Sequence, residues 1–213
     1  VARAVAPVGV QLQQSAGNVE VFTGCLRFTV PTNTAAVMQN IRLHSTAPDS
    51  TKRDVQVAEK LQAFLFLAGA ADGLEPLPPA EVKVEESGPQ RAVLRISGGF
   101  AAAKAPAKRP ALHYLCRLQA FAGSPAVQVQ YTLINLAPTN SITPIRSYGL
   151  RIAAPTAPHD GLHPAAPRVL LGGDRTVHRV ALTGASATVD LLQPSEGEYH
   201  VRSAADEMGI PVT

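Results

Sequence analysis

The chain has 213 residues, of which 46% are hydrophobic and 16% charged, so it is globular and long enough to bury one large core or two small ones. Eighteen prolines and sixteen glycines, with no tryptophan, indicate many turns between short strands. The net charge of +3 comes from scattered residues and indicates little about the partner, but no aromatic residues interleave with the one lysine cluster, which predicts no nucleic-acid partner. The longest apolar run, Phe64 to Ala71, is too short for a membrane-spanning helix.

The first part of the chain predicts a series of strands. Their alternating apolar and polar residues lie in Val8 to Gln14, Val19 to Val30, Val37 to His44 and Val55 to Leu67. Gly17-Asn18, between the first two, is typical of a hairpin turn. Ala58 to Leu67 fits either a strand or a short buried helix.

In the middle of the chain, Glu85 to Gly99 contains a turn flanked by strand-like residues, and together with the next two runs it predicts three consecutive antiparallel strands joined by glycine-containing turns. The clearest alternation comes after it. In Ala111 to Ala122 one face is apolar, and the opposite face carries His113, Arg117 and Gln119. The next strand, Val127 to Ile134, turns Gln128 and Gln130 to its polar face. The candidate ligand-binding residues are therefore His113, Arg117, Gln119, Gln128 and Gln130. Ordinary solvent exposure of an antiparallel sheet explains the same pattern.

The last third also predicts strands, but four prolines make Ala153 to Pro167 a long loop. Strand-like runs resume at Arg168 to Leu171, Thr176 to Leu182, Ala187 to Gln193 and Tyr199 to Ser203. The expected architecture is all-β, an antiparallel distorted barrel or β-sandwich with long Pro-rich loops. We expect one domain over residues 1–213, either undivided or with a subdomain break at 153–167. Both a complete chain and a fragment of a larger one are compatible with the sequence.

No metal or cofactor is predicted. His159 and His163 have a spacing that suits one cation on a helix, but they lie in the proline-broken loop without a third local ligand. Gly172-Gly173-Asp174 is too short to cradle a phosphate, and no helix follows it. Lys104, Lys108 and Arg109 form a basic cluster in a predicted loop, where they favour at most weak attraction to an acidic polysaccharide.

No catalytic residue is predicted either. Adjacent Glu85 and Glu86 would point to opposite faces of a strand, so they could not act together as acid and base. Proton abstraction next to a uronate carboxylate needs a base and a cation in one place. Tyr114 and Tyr131 belong to the apolar face, whereas His113 and Arg117 belong to the polar face, which disfavours such a cluster.

Cys25 and Cys116 are the only cysteines, and both lie in strand-like segments. Two buried thiols and one disulfide are both compatible with this placement. The chain begins at Val1 without methionine, which is compatible with a processed secreted protein or with a trimmed fragment. We therefore expect, without a signal peptide to decide it, a secreted or extracellular protein.

The sequence resembles the N-terminal β domain, RIFT-barrel-like, of the rhamnogalacturonan exolyase family of polysaccharide lyases. The resemblance runs from Asn18 to Asn135, with Thr23 to Pro31 as an early match and Gly88-Pro89 and Gly123-Ser124-Pro125 as its strongest points. From Pro144 onward it is looser, resting on Tyr148-Gly149-Leu150 and Leu191-Leu192-Gln193. These motifs specify turns and strands, and none is catalytic.

The resemblance implies a non-catalytic β module of a secreted carbohydrate-active protein. In that family a helical toroid carries the lyase reaction, so the implied partners are a helical catalytic domain, of the same or another chain, and an acidic polysaccharide. The alternative is a structural subunit of an extracellular assembly that contacts other protein subunits. Exposed aromatic residues beside basic groups in a groove would favour glycan binding, whereas an apolar surface or an exposed strand edge would favour assembly.

Overall fold

The computed structural model describes residues 9–46, 52–68, 73–102, 112–135 and 144–153, and the segments 168–172, 177–181, 188–195, 198–203 and 210–212. All sixteen elements in these residues are strands, and no described segment is helical. They are β1 (Gln11–Ser15), β2 (Asn18–Phe22), β3 (Leu26–Pro31), β4 (Ala36–Thr46), β5 (Lys52–Leu67), β6 (Leu74–Pro76), β7 (Glu81–Ser87), β8 (Arg91–Ala102), β9 (Leu112–Phe121), β10 (Val127–Ile134), β11 (Ile145–Ala153), β12 (Arg168–Gly172), β13 (Val177–Ala181), β14 (Thr188–Ser195), β15 (Glu198–Ser203) and β16 (Ile210–Val212).

The strands form two layers with antiparallel pairing throughout. One layer runs in the order β1-β2-β3-β4-β5-β11 and continues through β14, β15 and β16, while β7, β8, β9 and β10 form the other layer. Strand β6 pairs with both β5 and β8 and so joins the layers along one side. β12 and β13 form a separate two-stranded sheet. The prediction of an all-β antiparallel fold is confirmed.

The core lies between the two layers and is built from alternate residues of each strand. Val21, Phe28 and Val30 of the first layer belong to the same buried cluster as Leu94 and Ile96 of the second. On β9 every second residue from Leu112 to Ala120 is buried. Because side chains alternate along a strand, burial of these positions turns the remaining ones outward.

Most predicted strands are found, and the differences concern how the chain is divided into strands. The stretch Val19 to Val30 is two strands rather than one, because the chain turns at Gly24, which has a φ of 100°. Ala58 to Leu67 belongs to strand β5, so the strand prediction for this segment is confirmed and the alternative of a short helix is wrong. β6, β11 and β16 were not predicted, although β11 is the direct neighbour of β5.

Three turns and the entering chain meet at one end of the sandwich. The Val10 amide donates to the Pro89 carbonyl (3.0 Å), and the Ala122 amide donates to the Gln90 carbonyl (2.9 Å). The Gly123 amide donates to the Thr23 carbonyl (2.7 Å). These turns contain the motifs that carry the sequence resemblance, which is therefore a resemblance in how the strands are connected.

The Thr23 side chain ties the two layers together at this end. Thr23 is fully buried. Its hydroxyl Oγ1 donates to the Ser124 carbonyl (2.8 Å) and accepts from the Leu26 amide (3.0 Å). The residues that it joins are 101 positions apart in the chain. A buried polar group of this kind is stable only while its hydrogen bonds are satisfied.

Strand β10 lies at the border of its layer. It pairs with β9 over all eight residues without a register shift, and it borders no other described strand. Its sequence, VQVQYTLI, contains no charge, no proline and no glycine.

None of the described segments contains a helix with the length and hydropathy needed to cross a membrane.

Several predictions fall on residues outside the described ranges. These are the basic cluster of Lys104, Lys108 and Arg109, the pair His159 and His163, and nearly all of the Pro-rich loop with its possible subdomain break. They stay predictions.

We expect the substitution Thr23→Val to lower the free energy of unfolding by about 1–3 kcal/mol, because an isosteric methyl group leaves the Leu26 amide and the Ser124 carbonyl without their partner. Urea unfolding would measure this loss. Thr132→Val, on the exposed face of β10, is the matched control and should change stability by less than about 0.5 kcal/mol. Equal losses in the two variants would contradict the role of Thr23.

Candidate functional site

The outer face of β9 and β10 carries all five predicted ligand-binding residues. On β9, His113, Arg117 and Gln119 alternate with the buried positions, and on β10 Gln128 and Gln130 are exposed. The alternation of inner and outer residues that the sequence predicts for β9 and β10 is therefore found in the structure. Whether these residues bind a ligand stays a prediction.

Four of the five residues form a compact group. In the antiparallel register Gln119 stands opposite Gln128, and Arg117 stands opposite Gln130. Directly opposite side chains on one face have Cβ atoms about 5 Å apart. The three amides and one guanidinium therefore adjoin one another.

His113 does not join this group. It lies four residues from Arg117 along β9, a distance of about 13 Å, and Ile134 stands opposite it on β10. Leu115 occupies the intervening position on the same face. The sequence placed His113 on the correct face but could not separate it from the others.

Arg117 is held by a carboxylate of a more distant strand. Its Nε donates to Glu85 Oε2 (2.8 Å), and its Nη2 donates to Glu85 Oε1 (3.4 Å). Arg95 of β8 lies between them, with its Nε 3.6 Å from Glu85 and its Nη2 donating to Glu81 (2.6 Å). A chain of alternating charges thus crosses β7, β8 and β9. The local sequence around Arg117 does not indicate this partner, which lies 32 residues away.

Both Glu85 and Glu86 lie on the outer face, contrary to the prediction for adjacent strand residues. The register of β7 and β8 shifts between Val84 and Glu86, so two residues of β7 stand opposite one residue of β8. This β-bulge cancels the alternation. Glu86 consequently binds Arg91, while Glu85 binds Arg117 on the same side of the sheet.

These ion pairs hold both carboxylates in their charged form. The hydrogen bond from Arg117 lowers the pKa of Glu85 below its ordinary value, and the hydrogen bond from Arg91 does the same for Glu86. The charged partners raise the pKa values of Arg117 and Arg91. Neither glutamate can serve as a proton donor near neutral pH.

The tyrosines and the thiol of the inner face are held in their protonated form. Burial raises the pKa of Tyr114 to about 12 and that of Cys116 to about 12, and burial also raises the pKa of Tyr131. Tyr114 and Tyr131 stack with ring centroids 5.7 Å apart. The predicted separation of these tyrosines from Arg117 and His113 is the arrangement in the structure.

The possible disulfide between Cys25 and Cys116 is not formed in the structure, where both are free thiols. Cys116 lies on β9 inside the core, opposite Ile96. Cys25 lies in the turn between β2 and β3, where its sulfur is 3.7 Å from Thr23 Oγ1. Spacing along the chain could not decide between a disulfide and two separate thiols.

A second polar and aromatic surface, which the sequence analysis missed, lies beside β5, β6 and β11. A cavity of about 220 Å³ opens there, lined by residues that include Gln62, Phe64, Phe66, Glu75 and Arg151. The Arg151 guanidinium lies over the Phe64 ring, 5.4 Å from its centroid. The residues that line the cavity come from distant parts of the sequence, and the one signal in the sequence was the alternation of Gln62, Phe64 and Phe66 in β5.

No group of three or more potential metal ligands lies together among the described residues.

The pairing and the core define an antiparallel β-sandwich domain. A family model described as the PcRGLX-like protein central beta sandwich domain matches residues 10–163. The chain belongs to this family, which is related to rhamnogalacturonan lyases. No curated protein matches the chain.

The family confirms the resemblance to rhamnogalacturonan lyases and corrects the part of the protein to which it refers. The sequence resemblance pointed to an N-terminal, RIFT-barrel-like domain, whereas the matching family is that of the central sandwich. Short alternating strands with glycine turns are common to barrels and sandwiches, so these motifs could not distinguish the two domains.

We expect Glu85→Gln to make unfolding less dependent on pH in the acid range. The pKa of Glu85 is lowered in the folded protein, so its ionised form contributes stability above the unfolded pKa of about 4.3, and this contribution is lost as the pH falls below it. Urea unfolding between about pH 3 and 7 would measure the slope. Gln13→Ala, at an exposed position of β1, is the control and should keep the parent slope, because it removes no titratable group. A parent-like slope for Glu85→Gln would contradict the prediction.

We expect the folded chain to incorporate at most one equivalent of an alkylating reagent at pH 8, at Cys25, and two equivalents in denaturant. Burial raises the pKa of the Cys116 thiol, which keeps it protonated and inaccessible. Intact mass measured after labelling in each condition would show the count. The variant Cys25→Ser should take up no label when folded. No label in denaturant without a reductant would reveal a disulfide instead.

Proposed function

We propose that this domain is a non-catalytic module of a secreted, rhamnogalacturonan lyase-like protein, which contacts an acidic polysaccharide through the outer face of β9 and β10. Its relationship to rhamnogalacturonan lyases supports a carbohydrate-active setting. A helical catalytic domain, in the same or another chain, is the proposed partner that performs the reaction.

The single observation that carries the non-catalytic role is the chain of ion pairs across β7, β8 and β9. Elimination at a uronate needs an uncompensated base and a cation that is free to neutralise the sugar carboxylate. Here Glu85 already occupies the Arg117 guanidinium, and Glu81 occupies Arg95. The carboxylates stay ionised, and the nearby tyrosines are protonated on the opposite side of the sheet.

The group of glutamines supports contact with a glycan. Each amide both donates and accepts hydrogen bonds, which matches the hydroxyl groups of a sugar. Gln128 and Gln130 are exposed on β10, and Gln119 and Arg117 stand opposite them on β9. A flat row of this kind suits a polymer that lies along the strands rather than a small molecule enclosed in a pocket.

An apolar surface on the β4–β5 hairpin favours a second role, that of a subunit in a protein assembly. Leu43 stands opposite the buried Leu26 and next to Val55, so both point toward the core-facing side of the layer. Their exposed fractions are nevertheless 37% and 45%. Such a surface is suited to packing against another domain or subunit. Packing on the proposed catalytic domain would use the same residues.

The proposal is tested by affinity electrophoresis of the 213-residue chain in gels that contain rhamnogalacturonan or polygalacturonate. We expect the polysaccharide to retard the chain. The double variant Gln128→Ala/Gln130→Ala should bind roughly tenfold more weakly, since each lost hydrogen bond removes about 0.5–1.5 kcal/mol. Gln11→Ala/Gln13→Ala, on exposed β1, is the matched control and should behave as the parent.

Two results would overturn the proposal. Release of unsaturated uronate by the chain alone, followed by its ultraviolet absorbance, would show that the chain is catalytic. An absence of retardation on either polysaccharide would remove the glycan contact and leave the assembly role.

A further inference from the structure

We propose that the edge of β10 that faces no described strand receives one extended segment of another polypeptide, which adds to the second layer as a further strand. The docking surface consists of this edge and of the neighbouring inner face of β11. The inference concerns a protein partner, so it goes beyond the glycan contact and does not depend on it.

The two borders of the second layer differ in how they are protected. β7, at one border, is interrupted by a β-bulge and carries four charged residues, which are Glu81, Lys83, Glu85 and Glu86. Charges and bulges keep foreign strands from pairing with a sheet edge. β10, at the other border, pairs in register over its whole length and contains no charged residue. Because proteins usually protect an exposed edge, the unprotected one indicates a border that a partner covers.

The hydrogen-bonding groups of β10 determine the class of partner. Along an antiparallel strand, the N–H and C=O groups of alternate residues point away from the neighbouring strand, which here is β9. Those of Val127–Ile134 meet no partner among the described strands. Only an extended backbone presents donors and acceptors at the matching spacing, since a helix uses its backbone groups internally. The partner is therefore a peptide in the conformation of a strand.

An apolar surface lies beside this edge on the first layer. Tyr148 of β11 stands opposite the buried Leu65 of β5, and Ile152 stands opposite the buried Leu61. Both side chains thus point to the inner side of the layer, yet their exposed fractions are 38% and 39%. Burial raises the pKa of Tyr131 on β10, and Tyr148 is one of the neighbouring groups that add to this rise. The uncovered inner face of β11 therefore begins where the second layer ends.

These surfaces define the residue pattern of the added strand. Its inward residues would lie on Tyr148 and Ile152 and should be apolar, since side chains alternate between the two faces of a strand. Its outward residues would continue the row of Gln128, Gln130 and Thr132 and should be polar. The first layer continues past β11 through β14, so a single strand fits beside β10 more readily than a second two-layered sandwich.

The test is the binding of a dye-labelled synthetic peptide, Lys-Thr-Val-Thr-Val-Thr-Val-Lys, to the 213-residue chain. Fluorescence anisotropy gives the affinity, and amide chemical shifts of the isotope-labelled chain give the location. We expect the peptide to shift the amides of β10 and of Ile152. The same peptide with its central amides N-methylated should bind roughly tenfold more weakly, because it cannot donate hydrogen bonds to β10.

Two variants that replace an exposed apolar side chain by a charged one locate the surface. Ile152→Lys puts an ammonium group beneath the added strand and should weaken binding roughly tenfold. Phe121→Lys is the matched control, because Phe121 is exposed to a similar extent (36%) but lies on the outer face of β9. Its affinity for the peptide should stay within about twofold of the parent. The amide spectrum of each variant reports whether it is folded.

An absence of binding, binding that survives N-methylation, or shifts that avoid β10 would each overturn the inference. Dimerisation of the chain without peptide, abolished by Ile152→Lys, would show that a second copy occupies the edge and would overturn the assignment of the partner. Neither result bears on retardation by polysaccharide, so the proposed function is tested separately.

Discussion

Burial of alternate side chains along β9 is the constraint on which the rest of the structure depends. Leu112, Tyr114, Cys116, Leu118 and Ala120 fill the core, and a slip of one residue would put Arg117 and Gln119 there instead. The cost of burying a charge excludes that register. Because β8 and β10 pair with β9 on either side, the same constraint fixes which of their side chains face outward. The outer polar face thus follows from the composition of the inner one.

The sequence predicted those features that depend on local alternation. It placed His113, Arg117, Gln119, Gln128 and Gln130 on one face because the buried residues of β9 and the half-buried residues of β10 recur with a period of two. It failed at Glu85 and Glu86, where a β-bulge interrupts that period. It also joined β2 and β3, although the turn between them is local: Gly24 has a φ of 100°, and Thr23 exchanges hydrogen bonds with Leu26. The bond from the Thr23 hydroxyl to Ser124, far along the chain, could not be predicted. Long-range partners leave no mark on a local pattern.

The same limit explains why the cavity was missed. Phe64, Gly73 and Arg151 belong to three different strands or connections, and only the pairing of β5 with β11 brings them together. The partnership of Arg117 with Glu85, 32 residues away, arises in the same manner. Individually these residues resemble an ordinary core aromatic, a turn glycine and surface charges. Arg117 and Glu85 together form a surface on which the charges neutralise each other. Phe64 and Arg151 form a second surface, on which a guanidinium lies over an aromatic ring.

The border strand β10 has a consequence for the behaviour of the chain in solution. The hydrogen-bonding groups on its outer side face no described strand, and its sequence contains none of the charges, prolines or bulges with which proteins usually protect a sheet edge. Eight uncharged residues of high β propensity can serve as a template for a further strand. Pairing of two such edges becomes more favourable with rising concentration. Colloidal stability at high concentration therefore depends on whatever shields this border, be it a neighbouring domain or a bound polymer.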